Sequence, residues 1–177
     1  MTSPSEVAGP AGPRGATSAV EAVELRKEAY TMALYVAVCL LAALTATADR
    51  TADDHVTVLG IVWGTTVGLA LAHWFAFRVS ARLVAAGTVR RHDAAALGAQ
   101  LAGALSVAVL ATVPVVVFPA SAEMDTVRLL LAGFIAAMGF AVARASGAST
   151  VRALGYAATI LVAASTIAVV KNLLAGH

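Results

Sequence analysis

VTVLGIVWGTTVGLALAHWFAFRVSARL, residues 56–83, is the stretch that decides the fold of this chain. It is an apolar run with glycines at a strict four-residue spacing (Gly60, Gly64 and Gly68) and one histidine, His73, just before its basic end. A helix needs about 20 mostly apolar residues to cross the hydrocarbon core of a bilayer. The stretch is therefore predicted to be a membrane-spanning helix.

The composition of the whole chain places it in the same class. Of the 177 residues, 60% are hydrophobic and 12% are charged, whereas about a quarter of the residues of a soluble domain are charged. The length suits one compact unit. The single cysteine, Cys39, lies in an apolar run, so it has no partner for an internal disulfide and is predicted to be a packed free thiol.

Five apolar runs predict the architecture. Each must be helical, because lipid offers no partners for backbone N–H and C=O groups. The sequence thus predicts an all-α integral membrane protein, a bundle of five transmembrane helices in residues 18–177, with spans at about 29–48, 56–79, 94–118, 126–143 and 151–170. Residues 1–17 are rich in Pro, Gly, Ser and Ala and are predicted to be a disordered tail.

The charges between the runs predict an orientation. Three of the twelve basic residues fall on one side together with the acidic Asp49, Asp53, Asp54, Glu123 and Asp125, and the other nine fall on the opposite side. The positive-inside rule puts the nine in the cytoplasm. The N-terminus is therefore predicted to be cytoplasmic and the C-terminus outside, in a bacterial cytoplasmic (inner) membrane, given the Ala/Val/Gly/Arg-heavy composition.

Small residues follow one broad side of the second span. With 100° between successive residues, that side carries the predicted helix-packing residues, and bulky residues cover the other side. Small residues let helices approach closely in lipid. The small side is therefore predicted to pack against protein, either within the chain or in another copy, through Gly60, Gly64, Gly68, Ala72 and Ala76.

His73 lies on the edge of this small side, in line with Thr66 and Ser80 at seven-residue spacing. Ionisable residues in a span are functional candidates, and histidine titrates near neutral pH. One interpretation is a proton-accepting or ligand-contacting group beside a pathway. The other is a neutral imidazole that hydrogen-bonds to a neighbouring helix near the interface, because Arg78 follows only five residues later.

The third span contributes Gln100 and Pro114. Gln100, with Ser106 and Thr112, is predicted either to line a pathway or to form a hydrogen bond between helices. Pro114 is predicted to kink the helix. No second His, Asp or Glu lies inside a predicted span, so the sequence predicts neither a metal site nor a carboxylate relay. No cofactor-binding motif is present either.

Three functional hypotheses follow. The first is a homo-oligomeric channel or transporter for a small ion or solute, with His73 near the pathway. The second is a structural or accessory protein that docks another membrane protein through small-residue helix faces. The third and least favoured is a membrane-embedded enzyme. The expected partners are the lipid bilayer, further copies of the chain and another membrane protein, and no nucleic acid.

Overall fold

A computed structural model describes residues 13–47, 55–84 and 91–174. In these residues the chain forms helices and no strands, and the five helices are α1 (Pro13–Ala46), α2 (His55–Val84), α3 (Arg91–Val117), α4 (Ala120–Ala145) and α5 (Thr150–Leu174). All five are long and apolar enough to cross a membrane. The predicted five-helix, all-α class is confirmed, and the helices indicate a multi-pass membrane protein.

Helix α1 lies at the centre of the bundle. It contacts each of the other four helices, and it packs most extensively against α3. Helices α4 and α5 form a second closely packed pair. Because α1 is surrounded, its side chains Val36, Leu40 and Leu44 are completely buried. By contrast, most of the surface of α2 and α5 faces away from the rest of the chain.

Successive helices run in opposite directions, so the bundle has two ends. We call the end that contains the start of α2 the His55 end, and the opposite one the His73 end. Between the two ends the interior is mostly apolar, and Leu40, Val62, Val107, Leu131 and Ile135 are all buried there. Among the described residues, Thr66 is the buried polar side chain of this layer, and its hydroxyl bonds to its own helix.

The turn between α4 and α5 shows why the chain reverses there. Gly147 has φ +79, a left-handed conformation that glycine adopts without steric cost. Its N–H donates to the carbonyl of Arg144, and the N–H of Ala148 donates to that of Ala143. These bonds satisfy the carbonyls at the end of α4, as glycine-terminated helices commonly do. The turn thus separates two helices of 26 and 25 residues.

Helix α1 begins 16 residues before its predicted span, and among the other four helices the bounds differ most from the predicted spans at α4. The predicted span starts at residue 126, whereas α4 starts at Ala120, directly after Pro119. The sequence interpretation left Glu123 and Asp125 in a loop because they are acidic. The helix includes them because acidic residues are stabilised by the partial positive charge of a helix N-terminus. The predicted tail, residues 1–17, lies mostly outside the described residues, and α1 begins within it at Pro13.

Candidate functional site

The inward face of α2 carries two histidines. His55 and His73 are 18 residues apart, which is five full turns of an α-helix, so both project from the same side. The buried Val62 and Thr66 lie between them on this face. The rise of an α-helix separates the two histidines by about 27 Å, close to the roughly 30 Å thickness of the hydrocarbon core of a bilayer. A polar group therefore stands at each end of the apolar layer.

The glycines of α2 lie on the opposite, outward face. An added Cβ atom at Gly60, Gly64 or Gly68 would meet nothing within 4 Å, and Ala72 and Ala76 are exposed as well. Among the described residues, no helix packs against the small-residue face, because α2 turns the side marked by Val58, Val62 and Thr66 toward the bundle. Its predicted packing remains a prediction for another copy or another protein.

His73 belongs to a chain of three polar side chains from three helices. Its Nε2 donates to Oε1 of Gln100 on α3 at 2.5 Å. Nε2 of Gln100 donates in turn to Oε2 of Glu28 on α1 at 2.6 Å. The amide thus presents its oxygen to the imidazole and its NH₂ group to the carboxylate. Such connected bonds polarise one another in a low-dielectric surrounding, so the charge of Glu28 and the ring of His73 are coupled through Gln100.

A close approach between α1 and α3 brings Gln100 to Glu28. A Cβ atom added at Gly103 would lie 2.1 Å from the carbonyl oxygen of Ala29 and 2.9 Å from its carbonyl carbon. Only a residue without a side chain permits this distance. Gly103 is one turn after Gln100, and Ala29 directly follows Glu28. The backbone contact therefore sets the distance across which the amide reaches the carboxylate.

A cavity of about 260 Å³ lies beside the three polar groups. Thr31, Met32 and Tyr35 of α1 complete its lining together with Glu28, His73 and Gln100. The lining combines one carboxylate, one imidazole, one amide, the hydroxyl-bearing side chains of Thr31 and Tyr35, and apolar surface. Small-molecule sites in proteins commonly have this character, with apolar walls and a few polar groups that fix orientation. The site can accept a proton or hold a small cation against Glu28.

The other predicted site residues are not brought into this cluster. Thr66 is buried and its hydroxyl donates to the carbonyl of Val62 in its own helix. Ser80 is exposed, and exposed Ser106 donates to the carbonyl of Ala102. Thr112 accepts a hydrogen bond from the indole of Trp63 at 3.1 Å. The predicted grouping of Thr66, Ser80 and His73 as one polar face therefore does not form a joint site.

Pro114 lies inside α3 and is buried. The carbonyl of Pro114 accepts the N–H of Phe118 at 2.9 Å, so the last turn closes after the proline. The proline is three residues before the end of the helix, and most of α3 precedes it. It shapes the His55 end of the bundle and does not contact the His73 cluster.

A second polar cluster, at the His55 end, was missed by the sequence interpretation. Nδ1 of His55 is hydrogen-bonded to Oε2 of Glu123, a carboxylate with no exposed surface. Moving an ion from water into a protein interior costs several kcal/mol after relaxation, whereas a helix N-terminus returns only about 0.3–1 kcal/mol. Burial therefore dominates the energetics of Glu123, which lies outside the predicted spans but inside α4. A helix start directly after Pro119 was the available clue.

Arg128, one turn and a half further along α4, ties the same end together. Its Nη2 donates to the carbonyl of Leu44, near the end of α1, at 2.5 Å. Its Nη1 donates to Asp125 at 3.1 Å. A cation beside the last carbonyls of a helix is favourable because the helix dipole is negative there. The contact joins the start of α4 to the end of α1 at the end of the bundle that holds Glu123.

Comparison of the chain with protein-family models, with curated proteins and with solved structures found no match.

The described residues contain no group of three or more His, Cys, Asp and Glu side chains that could hold a metal ion. The His73 cluster supplies one carboxylate and one imidazole, and the His55 cluster also supplies one of each.

At the His73 end, Arg78 stacks over Trp74 with 5.2 Å between the guanidinium carbon and the ring centroid. Arginine and tryptophan suit the boundary between hydrocarbon and water.

Proposed function

We propose that the protein is a small transporter or channel that moves protons or small cations across a membrane, with Glu28, Gln100 and His73 as its binding site. The observation that carries this proposal is the hydrogen-bonded chain of those three side chains beside a cavity. A carboxylate attracts a cation, and an imidazole exchanges protons near neutral pH. Ionisable residues within membrane-spanning segments commonly mark ion and proton pathways.

The proposed pathway lies between copies of the chain. The apolar layer between the two ends is filled by buried side chains, so a route inside one copy has no support in the described residues. The outward glycine face of α2 suits a close approach to another copy. We place the His73 end in the cytoplasm of a bacterial cell, since nine of the twelve basic residues fall on the side predicted to be inside.

Flux into sealed vesicles tests the proposal. Purified protein is reconstituted in liposomes loaded with a pH-sensitive dye, and proton and monovalent cation flux is followed under an imposed membrane potential from mildly acidic to neutral pH. We expect flux that depends on pH in the wild type, and a His73→Gln variant that loses the pH dependence. His73→Gln keeps a polar side chain of similar reach but does not titrate.

Ser106→Ala is the matched control for this experiment. Ser106 is exposed and bonds to its own helix, so its loss should leave both flux and pH dependence unchanged. Absence of flux for every cation tested, across the whole pH range, would refute the transport proposal. Equal flux in the wild type and His73→Gln would place the pathway elsewhere.

A second function, docking of another membrane protein, is favoured by the open face of α2. A Cβ atom added at Gly60, Gly64 or Gly68 would meet no described residue within 4 Å, although α2 packs against α1 and α3 through its other side. A face with such small residues suits a partner helix at short distance. Co-purification at native expression levels distinguishes the two: a stable partner supports docking, and self-association alone counts against it.

Gly64→Leu probes this face without disturbing the fold of one copy. Because a new side chain at Gly64 enters open space, we expect an unchanged unfolding midpoint. We also expect the assembly size, measured by light scattering in detergent, to fall toward the monomer. Gly98→Leu is the matched control, since Gly98 is equally open but lies on α3. If neither substitution changes the assembly, α2 does not form the interface.

A further inference from the structure

The His55 end holds a carboxylate whose surroundings leave one oxygen unused. Glu123 is 0% exposed, and its Oε2 is bonded to Nδ1 of His55. Its Oε1 is buried without a hydrogen-bond partner among the described residues. An ionised carboxylate accepts several hydrogen bonds in water, so this site removes nearly all of them. A proton bound here removes a buried charge that is balanced by one hydrogen bond, to His55.

His55 provides the connection between this carboxylate and water. Its side chain is 50% exposed whereas that of Glu123 is completely covered. A proton from the aqueous phase therefore reaches the ring before it reaches the carboxylate. Histidine is well suited to this role because its two ring nitrogens can bind and release protons on opposite sides.

The neighbouring charges do not neutralise Glu123 in another way. Arg128 directs its guanidinium to the carbonyl of Leu44 and to Asp125, and no ion pair joins it to Glu123 within the described part of the chain. Asp125 is 86% exposed at its side chain. The end of α1 contributes the Leu44 carbonyl to this region. Asp53 and Asp54 directly precede His55 in the sequence but lie outside the described residues.

We infer that Glu123 is a proton-binding residue that exchanges with the aqueous phase through His55. In the transfer step, the N–H bond at Nδ1 of protonated His55 breaks and an O–H bond forms at Oε2 of Glu123. The electron pair of the broken bond stays on Nδ1, so the ring becomes neutral as the carboxylate charge disappears. The reverse step returns the proton to the ring and then to water. This inference does not rest on the proposed transport function.

The proton site also has a consequence for the contact between α2 and α4. The His55–Glu123 bond joins the first residue of α2 to the first turn of α4. In one state the bond has the ring as donor and the carboxylate as acceptor. In the other the carboxyl O–H donates to the bare Nδ1. The contact therefore persists through the transfer, and the proton moves without separating the helices.

Infrared difference spectroscopy tests the inference directly. Protein in lipid nanodiscs is compared between alkaline and mildly acidic buffer, and the carbonyl band of newly formed carboxylic acid is recorded. We expect one component of this band to vanish in Glu123→Gln. Asp125→Asn, two residues along the same helix, removes an exposed carboxylate and should leave that component in place.

The route through His55 has its own measurement. After a rapid drop in pH, the same band component should appear at least about tenfold more slowly in His55→Gln than in the wild type, because general acid–base transfer by a positioned side chain commonly contributes a factor of this order or more. Gel filtration and helix content establish that each variant is folded. If Glu123→Gln retains the component, or Asp125→Asn removes it, the site is wrong. An unchanged rate in His55→Gln would refute the route.

Discussion

Replacing Gly103 by Ala should destabilise the bundle more than any other single methyl addition at a described glycine. The new Cβ would lie 2.1 Å from the carbonyl oxygen of Ala29. That oxygen belongs to the backbone of the central helix and has no rotamer with which to move away. Overpacking in a well-packed interior costs about 1–3 kcal/mol, and occasionally more. We expect a cost of about 3 kcal/mol at this position.

Unfolding in detergent, followed by helix content during titration with a denaturing detergent, measures this cost. Gly98→Ala is the matched control on the same helix, because its Cβ would meet nothing within 4 Å. Alanine is favoured over glycine inside a helix by about 0.5–1 kcal/mol. Gly98→Ala should therefore be neutral or slightly stabilising. Equal effects in the two variants would contradict the close approach of α1 and α3.

Replacing Gln100 by Leu should break both hydrogen bonds of the polar cluster at the His73 end while leaving the helices in place. The change removes the donor to Glu28 and the acceptor for His73 together. Hydrogen bonds to charged groups contribute about 1.5–3 kcal/mol. Because Glu28 and His73 are half-buried, water replaces part of what is lost. We therefore expect a cost of about 1–2 kcal/mol in stability.

The effect of Gln100→Leu on function should be larger than its effect on stability. If the cluster binds the transported cation, flux in the liposome assay should fall at least about tenfold, which corresponds to about 1.4 kcal/mol of lost binding. Gln100→Glu keeps a polar side chain and adds a carboxylate beside Glu28, so it should change the pH dependence instead. If the Gln100→Leu protein keeps wild-type flux, the cluster does not take part in transport. If its unfolding midpoint is unchanged, the hydrogen bonds of Gln100 do not stabilise the bundle.

The contrast between Gly103 and the glycines of α2 shows what spacing in a sequence indicates. Gly60, Gly64 and Gly68 repeat every fourth residue and predict a packing face, yet a Cβ atom added at any of them would meet no described residue within 4 Å. Gly103 has no glycine four residues before or after it, yet among the described glycines its Cβ position lies closest to a neighbouring backbone. A repeat identifies one side of one helix. Which side is buried depends on the neighbouring helices, and the local spacing of residues does not predict which helices those are.

The contacts of the polar residues likewise depend on how the helices pack. His73 and Gln100 were each recognisable in the sequence as isolated polar groups in apolar runs. Glu28 and Glu123 both lie outside the predicted spans, which begin at about residues 29 and 126. Their roles depend on registers between helices that are 27 to 72 residues apart along the chain and, for Glu123, on 68 residues of separation from His55. A hydropathy profile averages over neighbouring residues, so it does not predict contacts between residues that are far apart in the sequence.

The sequence by itself determined the class of the protein: five apolar helices long enough to span a membrane. It could do so because backbone groups in lipid must be satisfied inside each segment, and helices are the solution that a local run of residues can provide. The tertiary structure decided which face of α2 looks inward, and so joined His73 to Glu28 through Gln100 and His55 to the buried Glu123. Those contacts arise from side chains of different helices, whose packing depends on shape across the bundle and not on the apolar character that all five share.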